Sequence, residues 1–149
     1  SVLALTPKMY NYRYNQLKAA GQNLNHLLSS GHAAALTGVI GKCPGCGYAL
    51  VDRFAVHNDL TQRIHAKYPA VKVVQMPKAE ADIAVAAASV LARAEFLRIM
   101  AELEVQAGMP LPKGGSDAAT NCARMIAEKF GKESLANFVK LHFANYKRI

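Results

Sequence analysis

The sequence has no tryptophan, only three cysteines, and no apolar run near the roughly 18 residues that a membrane-spanning helix needs. The odd cysteine count argues against a disulfide framework and favours a reducing, cytoplasmic setting. Basic residues do not alternate with aromatic ones, so a stacking platform for single strands is disfavoured. These absences predict no membrane partner and exclude a disulfide-stapled secreted scaffold.

What the chain does contain is a core and an excess of positive charge. Its 149 residues are 52% hydrophobic, which suits one domain. The net charge of +8 and the pI near 9.6 predict an anionic partner, nucleic acid before others. The alternative is a basic protein whose charge serves solubility alone.

Helical and strand-like patterns alternate along the chain without a linker or an internal repeat. Thr6-Pro7 predicts a helix start, with Thr as the cap, and Gly21 predicts its end. The predicted strands are 2–5, 48–52 and 71–76, and the predicted helices are 7–20, 22–40, 57–67, 83–106, 116–130 and a last one from 133 through 141.

Two of the predicted strands end close to carboxylates. Asp52 is the last residue of one, and Glu80 and Asp82 follow the other. The strand–helix–strand spacing predicts a right-handed βαβ unit, so these strands should be parallel and deliver the acids to one sheet edge. Two such carboxylates suggest half of a hard-metal site. The alternative is that Asp52 caps a turn and Glu80 or Asp82 caps a helix.

Other chemically capable residues give weaker signals. Cys43 and Cys46 form one Cys-x-x-Cys pair, half of a zinc ligand set, but they precede a strand, and thioredoxin-like pairs open a helix. Plain turn residues are the favoured interpretation. The five histidines form no short-spaced metal pair, and no phosphate loop or nucleophile elbow is present. Carboxylates with a basic surface fit metal-assisted phosphodiester chemistry.

Several segments together resemble the type 2 ribonucleases H, and within them the ribonuclease HIII branch. The alanine-rich helix and the Leu-Pro-Lys-Gly loop are the most specific of these segments. The resemblance runs through the whole chain in the family's order and rests on residues 51–55, 78–80, 84–93, 107–114 and 140–145, with support from 10–11 and 25–32.

The resemblance implies an α/β, RNase H-like fold, here a partial mixed sheet flanked by helices. It also implies an endonuclease that hydrolyses the RNA strand of RNA/DNA hybrids with Mg²⁺ or Mn²⁺. Asp52 then matches the third of four catalytic, metal-binding carboxylates and Glu80 the fourth, with Asp82 left open as a substitute. Lys113 and Lys140 are the expected nucleic-acid contacts. His142 is expected to pack rather than to act.

One part of the family pattern is absent from these residues. The family carries an Asp-Glu pair in a glycine-rich context on its first strand, and no such motif occurs here. Residues 1–149 are therefore expected to be the C-terminal part of a single RNase H-like catalytic domain, without its first strands. The alternative is an inactive nucleic-acid-binding fragment, or a subunit that needs a separate N-terminal chain.

Overall fold

The computed structural model describes residues 1–56 and 59–149, except the side chain of Arg148. Helices and two strands alternate along the described residues. In chain order the elements are α1 (Pro7–Ala19), α2 (Leu24–Ile40), β1 (Tyr48–Asp52), α3 (Leu60–His65), β2 (Lys72–Met76), α4 (Ile83–Ala107) and α5 (Asp117–Phe130), with short 3₁₀ helices at Ala79–Ala81, Lys132–Asn137 and Ala144–Arg148.

The chain forms two compact units. The first comprises Ser1–Leu3 and Gln16–Ala94, and the second comprises Ala4–Asn15 and Glu95–Ile149. Each unit has its own apolar core.

The first unit is built on a parallel pair of strands. β1 and β2 are in register, with Asp52 opposite Met76, and this pair is the whole sheet of the described residues. Side chains alternate between the faces of a strand, and Ala49 and Val51 of β1 are the buried ones. α2 and α3 cover them with Ala33, Ile40, Leu60 and Ile64. The predicted βαβ arrangement with parallel strands is confirmed.

Polar side chains begin three of the helices. Met9 N–H donates to Thr6 Oγ1 at 3.4 Å, as the Thr6-Pro7 signal predicted for α1. Asn23 and Ser116 accept backbone N–H groups at the starts of α2 and α5. Each of these contacts satisfies a donor that the first helical turn leaves free. Gly21 follows α1 at φ +69°, a conformation that glycine adopts without a Cβ clash.

The second unit packs α5 against the end of α4 and the C-terminal segment. Ile126 of α5 and Leu135 of the following 3₁₀ helix are each 1% exposed. Leu103, Ala107 and Leu111 complete the buried cluster from the other side. The apolar residues of α5 recur at helical spacing, so one face of the helix packs on this core and the opposite, polar face is exposed to solvent.

The long helix α4 buries little of its apolar surface. Only Leu103 and Ala107 of its 25 residues are buried, and Ile83, Val90 and Leu91 are 87%, 68% and 58% exposed. Contiguous apolar exposure of this kind is typical of a surface that another element covers. Within the described part of the chain, no helix has the length and apolarity required to span a bilayer.

Two sequence predictions were wrong and one lies partly outside the described residues. Residues 2–5 form no strand, since the only paired strands described are β1 and β2, and Val2 and Leu3 are half exposed. The predicted last helix is a 3₁₀ helix that ends at Asn137, and the carbonyls of Ala136 and Val139 accept hydrogen bonds from Asn11 Nδ2. The predicted start of α3 at His57 lies outside the described residues.

Two neighbouring residues of α5 offer a matched test of the second core. Ile126→Ala should lower the free energy of unfolding by about 2–5 kcal/mol, because it leaves a cavity at a side chain that is 1% exposed. Met125→Ala, at a site that is 54% exposed, should change it by less than about 0.5 kcal/mol. Urea unfolding followed by circular dichroism measures both, and equal effects would contradict the assigned core.

Candidate active site

Asp52 and Glu80 lie on the same edge of the small sheet. The Ala79 N–H donates to Asp52 Oδ1 at 3.3 Å, and Glu80 is the next residue in the 3₁₀ helix. The strand pairing continues past Asp52, because Arg53 N–H donates to the Met76 carbonyl at 3.0 Å. The end of β1 is therefore joined directly to the segment that carries Glu80. The structure thus places the residue that precedes Glu80 in contact with the Asp52 side chain.

The backbone between β2 and Glu80 is strained. Lys78 has φ 57°, and it is the one described residue other than glycine with a positive φ. A left-handed conformation costs a residue with a Cβ of order 1–3 kcal/mol and is often found at functional sites. This turn redirects the chain from β2 into the 3₁₀ helix Ala79–Ala81, and so positions Glu80 beside the Asp52 edge.

Asp82 has a different structural role from Glu80. Its Oδ1 accepts the N–H groups of Ala84 at 2.8 Å and Val85 at 3.4 Å, so it caps α4. The cap alternative left open by the sequence therefore holds for Asp82, and the Ala79 N–H on Asp52 Oδ1 is the turn contact that it anticipated for Asp52. Asp52 and Glu80 are both exposed, and among the described residues neither forms a salt bridge. Exposed carboxylates without a salt bridge remain available to a cation.

His32, which ends the segment 25–32 that supports the family resemblance, lies near Asp52. His32 of α2 stacks on Phe54, with ring centroids 4.8 Å apart and planes 8° from parallel. Burial lowers the pKa of His32, and the negative charge of Asp52 partly opposes that shift. No spacing rule links a residue of α2 to one that follows β1, so the sequence carries no signal for this pairing.

The second unit contains a cluster of aromatic rings around residues 140–145, the segment that carries the expected nucleic-acid contact Lys140. Lys140 Nζ lies 4.5 Å from the centre of the Tyr10 ring. His142 lies 4.6 Å from the Tyr14 ring, between centroids, and its Nε2 is 3.4 Å from the Tyr10 hydroxyl. His142 Nδ1 is buried and has no hydrogen-bond partner among the residues described. The expectation that His142 packs agrees with these contacts.

Asn11 holds this segment in place. Its Nδ2 donates to the carbonyls of Ala136 and Val139 at 3.0 and 2.8 Å, and its Oδ1 accepts the Leu141 N–H at 2.9 Å. Asn11 is 7% exposed, so losing these bonds would leave buried polar groups unpaired. The position of Lys140 therefore depends on a residue of α1.

The loop that contains Lys113 is anchored on both sides within the same unit. Leu111 N–H donates to Glu104 Oε1 at 3.1 Å, and Asn145 Nδ2 donates to the Gly115 carbonyl at 2.8 Å. Lys113 itself is exposed. A fixed loop that presents a free lysine is suited to a phosphate contact.

The three cysteines are all free thiols. No group of three or more metal-ligating His, Cys, Asp or Glu side chains occurs among residues 1–56 and 59–149. The described residues therefore form neither a complete zinc site at Cys43 and Cys46 nor a complete carboxylate metal site.

Comparison with known proteins identifies the class. Residues 2–146 match the sequence profile of the family described as Ribonuclease HII. The chain belongs to this family, as the resemblance implied.

Several of the relatives that match are named ribonuclease HIII. The chain is similar to ribonuclease HIII of Chlamydia pneumoniae, with 37% identity over 142 residues, 95% of this chain and 48% of that protein. It is also similar to ribonuclease HIII of Bacillus cereus (strain AH187), with 38% identity over 146 residues, 94% of this chain and 47% of the relative. The chain spans about half the length of the curated relatives it matches.

A solved structure agrees with the sequence matches. Bst-RNase HIII in a crystal structure with Mn²⁺ has a TM-score of 0.84 at 27% identity, over 98% of this chain and 48% of that one. A mutant of the same protein gives 0.84 at 28%. The predicted α/β, RNase H-like fold is confirmed. The strands described here are parallel only, so the antiparallel part of the expected mixed sheet is not among them.

The ring cluster predicts a measurable pH response. Burial, and then the charge of Lys140, lower the pKa of His142 from its usual 6.5. Protonating His142 therefore costs more in the folded chain than in the unfolded one. Its contribution to stability should fall as the pH drops from 6.5 through the lowered value, and should then level off.

Lys140→Met should raise the pKa of His142 part of the way towards 6.5, because burial is the larger cause and remains. Lys140→Arg keeps the charge and should leave the value low. An NMR titration of the His142 ring protons measures both variants. An unchanged midpoint in Lys140→Met would contradict the placement of the lysine beside the imidazole.

Proposed function

We propose that this chain is part of an endonuclease that hydrolyses the RNA strand of RNA/DNA hybrids by metal-assisted phosphodiester hydrolysis. The observation that carries the proposal is the placement of Asp52 and Glu80 on one sheet edge, joined through the Ala79 N–H, in a member of the ribonuclease HII family. These two acids are the proposed catalytic and metal-binding residues, and Asp82 is assigned to the helix cap.

The donor set fits a hard divalent cation. Carboxylate oxygens are the ligands that Mg²⁺ and Mn²⁺ prefer, and both acids are exposed and form no salt bridge among the described residues. The Mn²⁺ complex of Bst-RNase HIII supports the same choice. When bound, such a cation supplies charge stabilisation at the phosphoryl oxygens and a more acidic bound water. The contribution of Asp52 and Glu80 is to hold their oxygens at a rigid strand end and a constrained turn.

Two carboxylates are fewer than the four that the family resemblance implies. We propose that the remaining acids lie in a further part of the complete protein, which corresponds to the half of the relatives that these residues do not match. Residues 1–149 would then form the C-terminal part of a single RNase H-like catalytic domain. The apolar surface of α4, with Ile83 87% exposed, supports a covering element in the complete protein.

The basic surface is proposed to hold the hybrid. Lys113 stands on an anchored loop, and Lys140 lies in a segment fixed by Asn11. Desolvation lowers the pKa of Lys140, and no described carboxylate pairs with it. A partly desolvated lysine without a carboxylate partner favours a phosphate group as its counter-ion. The net charge of +8 supports the same partner, and three free cysteines support a cytoplasmic setting.

A second candidate function is binding without cleavage. It is favoured by the finding that the described residues bring no third ligand to Asp52 and Glu80. Mg²⁺ keeps its waters unless several anionic ligands converge, so two carboxylates alone should bind it weakly. In this case the chain would bind hybrids by itself, or act as a subunit that cuts only with a separate N-terminal chain.

Asp52→Asn in the complete protein should abolish hybrid cleavage and leave hybrid binding largely intact, because it removes one charged ligand without changing the size of the side chain. A cleavage assay with Mg²⁺ or Mn²⁺ and a binding measurement in the absence of metal separate the two effects. Glu80→Gln should behave in the same way. Retained cleavage in either variant would remove that residue from the proposed site.

Asp82→Asn is the matched control. Asn is as good a helix cap as Asp, so this variant should keep both stability and cleavage. The same assay on the 149 residues alone separates the two candidate functions. Robust Mg²⁺-dependent cleavage by this chain would show that no further acids are needed, and cleavage restored by adding an N-terminal chain would support the subunit alternative.

Lys140→Ala should weaken hybrid binding uniformly across sequences and reduce the slope of log K against log salt by about 1, because one phosphate contact is lost. Lys113→Ala should give a similar change. Lys18→Ala, an exposed lysine in the last turn of α1, is the control and should leave the slope unchanged. Equal slopes for all three variants would argue against Lys113 and Lys140 as backbone contacts.

A further inference from the structure

A hydrogen-bonded turn between α2 and β1 contains two of the three cysteines, and the proposed function uses neither. The Cys46 N–H donates to the Cys43 carbonyl at 2.9 Å, with Pro44 and Gly45 between them. Such a β-turn holds its first and last Cα atoms within about 7 Å. A disulfide requires about 4.4–6.8 Å between the same atoms. The backbone of this turn therefore already has the span that a Cys43–Cys46 disulfide needs.

The two thiols are in different environments. Cys43 is exposed, next to Lys42, and no acidic residue occurs in residues 41–47. Cys46 is half-buried against the core of the first unit, and its Sγ–H donates to the Tyr48 carbonyl at 3.3 Å. An exposed thiol is the one that a solvent-borne oxidant reaches first. Cys46 ends the same turn, where it can serve as the resolving thiol, the one that attacks a mixed disulfide on Cys43.

The third cysteine provides an internal comparison. Cys122 is buried in the second unit, and its Sγ–H donates to the Pro110 carbonyl at 3.5 Å. Burial raises the pKa of this thiol. A buried thiol in apolar surroundings is inert, so Cys122 should not react while the chain is folded.

We propose that Cys43 and Cys46 form a reversible dithiol–disulfide site whose oxidant is a small-molecule disulfide such as oxidised glutathione. The Cys43 thiolate attacks one sulfur of that disulfide, the S–S bond breaks, and one thiolate leaves and takes a proton from water. The Cys46 thiolate then attacks the Cys43 sulfur and releases the second thiolate. The chain loses two hydrogen atoms, and the small disulfide is reduced to two thiols.

The alternative use of the pair, a zinc site, has less support. The described residues offer no third His, Cys, Asp or Glu beside these thiols, and a structural zinc takes four ligands. The position of the turn also separates it from the acids. It precedes β1 and Asp52 ends β1, so the length of the strand, about 13 Å from its first to its last Cα atom, lies between them. Oxidation should therefore leave the carboxylate edge in place.

The test is thiol oxidation of the folded chain. Reduced protein is equilibrated with glutathione at a series of ratios of oxidised to reduced form, quenched by alkylation after unfolding, and digested for mass spectrometry. The expected result is a peptide with a Cys43–Cys46 disulfide at high ratios, alkyl groups on Cys122 alone, and full reversal by dithiothreitol. Three alkylated cysteines at every ratio would overturn the proposal.

Variants assign the steps. Cys46→Ser should accumulate a stable mixed disulfide between glutathione and Cys43, and Cys122→Ser should leave the oxidation ratio unchanged. Glutathione that persists on Cys43 in the wild-type chain would show that Cys46 does not resolve it and would refute the pair. Stoichiometric zinc in the purified chain, with protection of both thiols, would replace the redox site by a metal site. The wild-type measurement stands even if a variant fails to fold.

Discussion

The pairing of β1 with β2 is the constraint on which the candidate site depends. Parallel strands in register end at the same edge, so the last residue of β1, Asp52, lies opposite Met76. The chain then needs only a short turn to bring Ala79 back to the Asp52 side chain. The left-handed Lys78 makes that turn possible. The strain at Lys78 is offset by the buried contacts of the strands with α2 and α3.

The second unit depends on an amide side chain in a similar way. Asn11 bonds to the carbonyls of Ala136 and Val139 and to the Leu141 N–H, at positions that a regular helix would pair within itself. The segment that follows is thereby held irregular, with Lys140 against the Tyr10 ring and His142 among aromatic neighbours. Irregular segments positioned by a rigid scaffold are common carriers of binding residues. Here the scaffold is α1, and the candidate binding residue is Lys140.

Local patterns predicted most elements because local forces decide them. The side chains of Thr6, Asn23 and Ser116 accept backbone N–H groups where helices begin, and the burial of Ala49 and Val51 marks a strand with one buried face. The failures occurred where pairing partners decide the structure. Residues 2–5 have strand-like composition, but no described strand pairs with them. Residues 133–141 have helical spacing, but the carbonyls of Ala136 and Val139 accept hydrogen bonds from Asn11.

The sequence by itself determined the chemistry available: acids after two strands, an excess of lysine and arginine, and a fold that its family motifs indicated. Residue types and their spacing are properties of the chain, so they can be read without coordinates. Only the tertiary structure distinguished Glu80 from Asp82, because they are carboxylates two residues apart and their spacing from the strand does not show which one caps the helix. Asp82 is used by the amides of α4, whereas Glu80 is left exposed next to the residue that contacts Asp52. The stacking of His32 on Phe54 was likewise decided by packing, since it joins two elements that no sequence period connects.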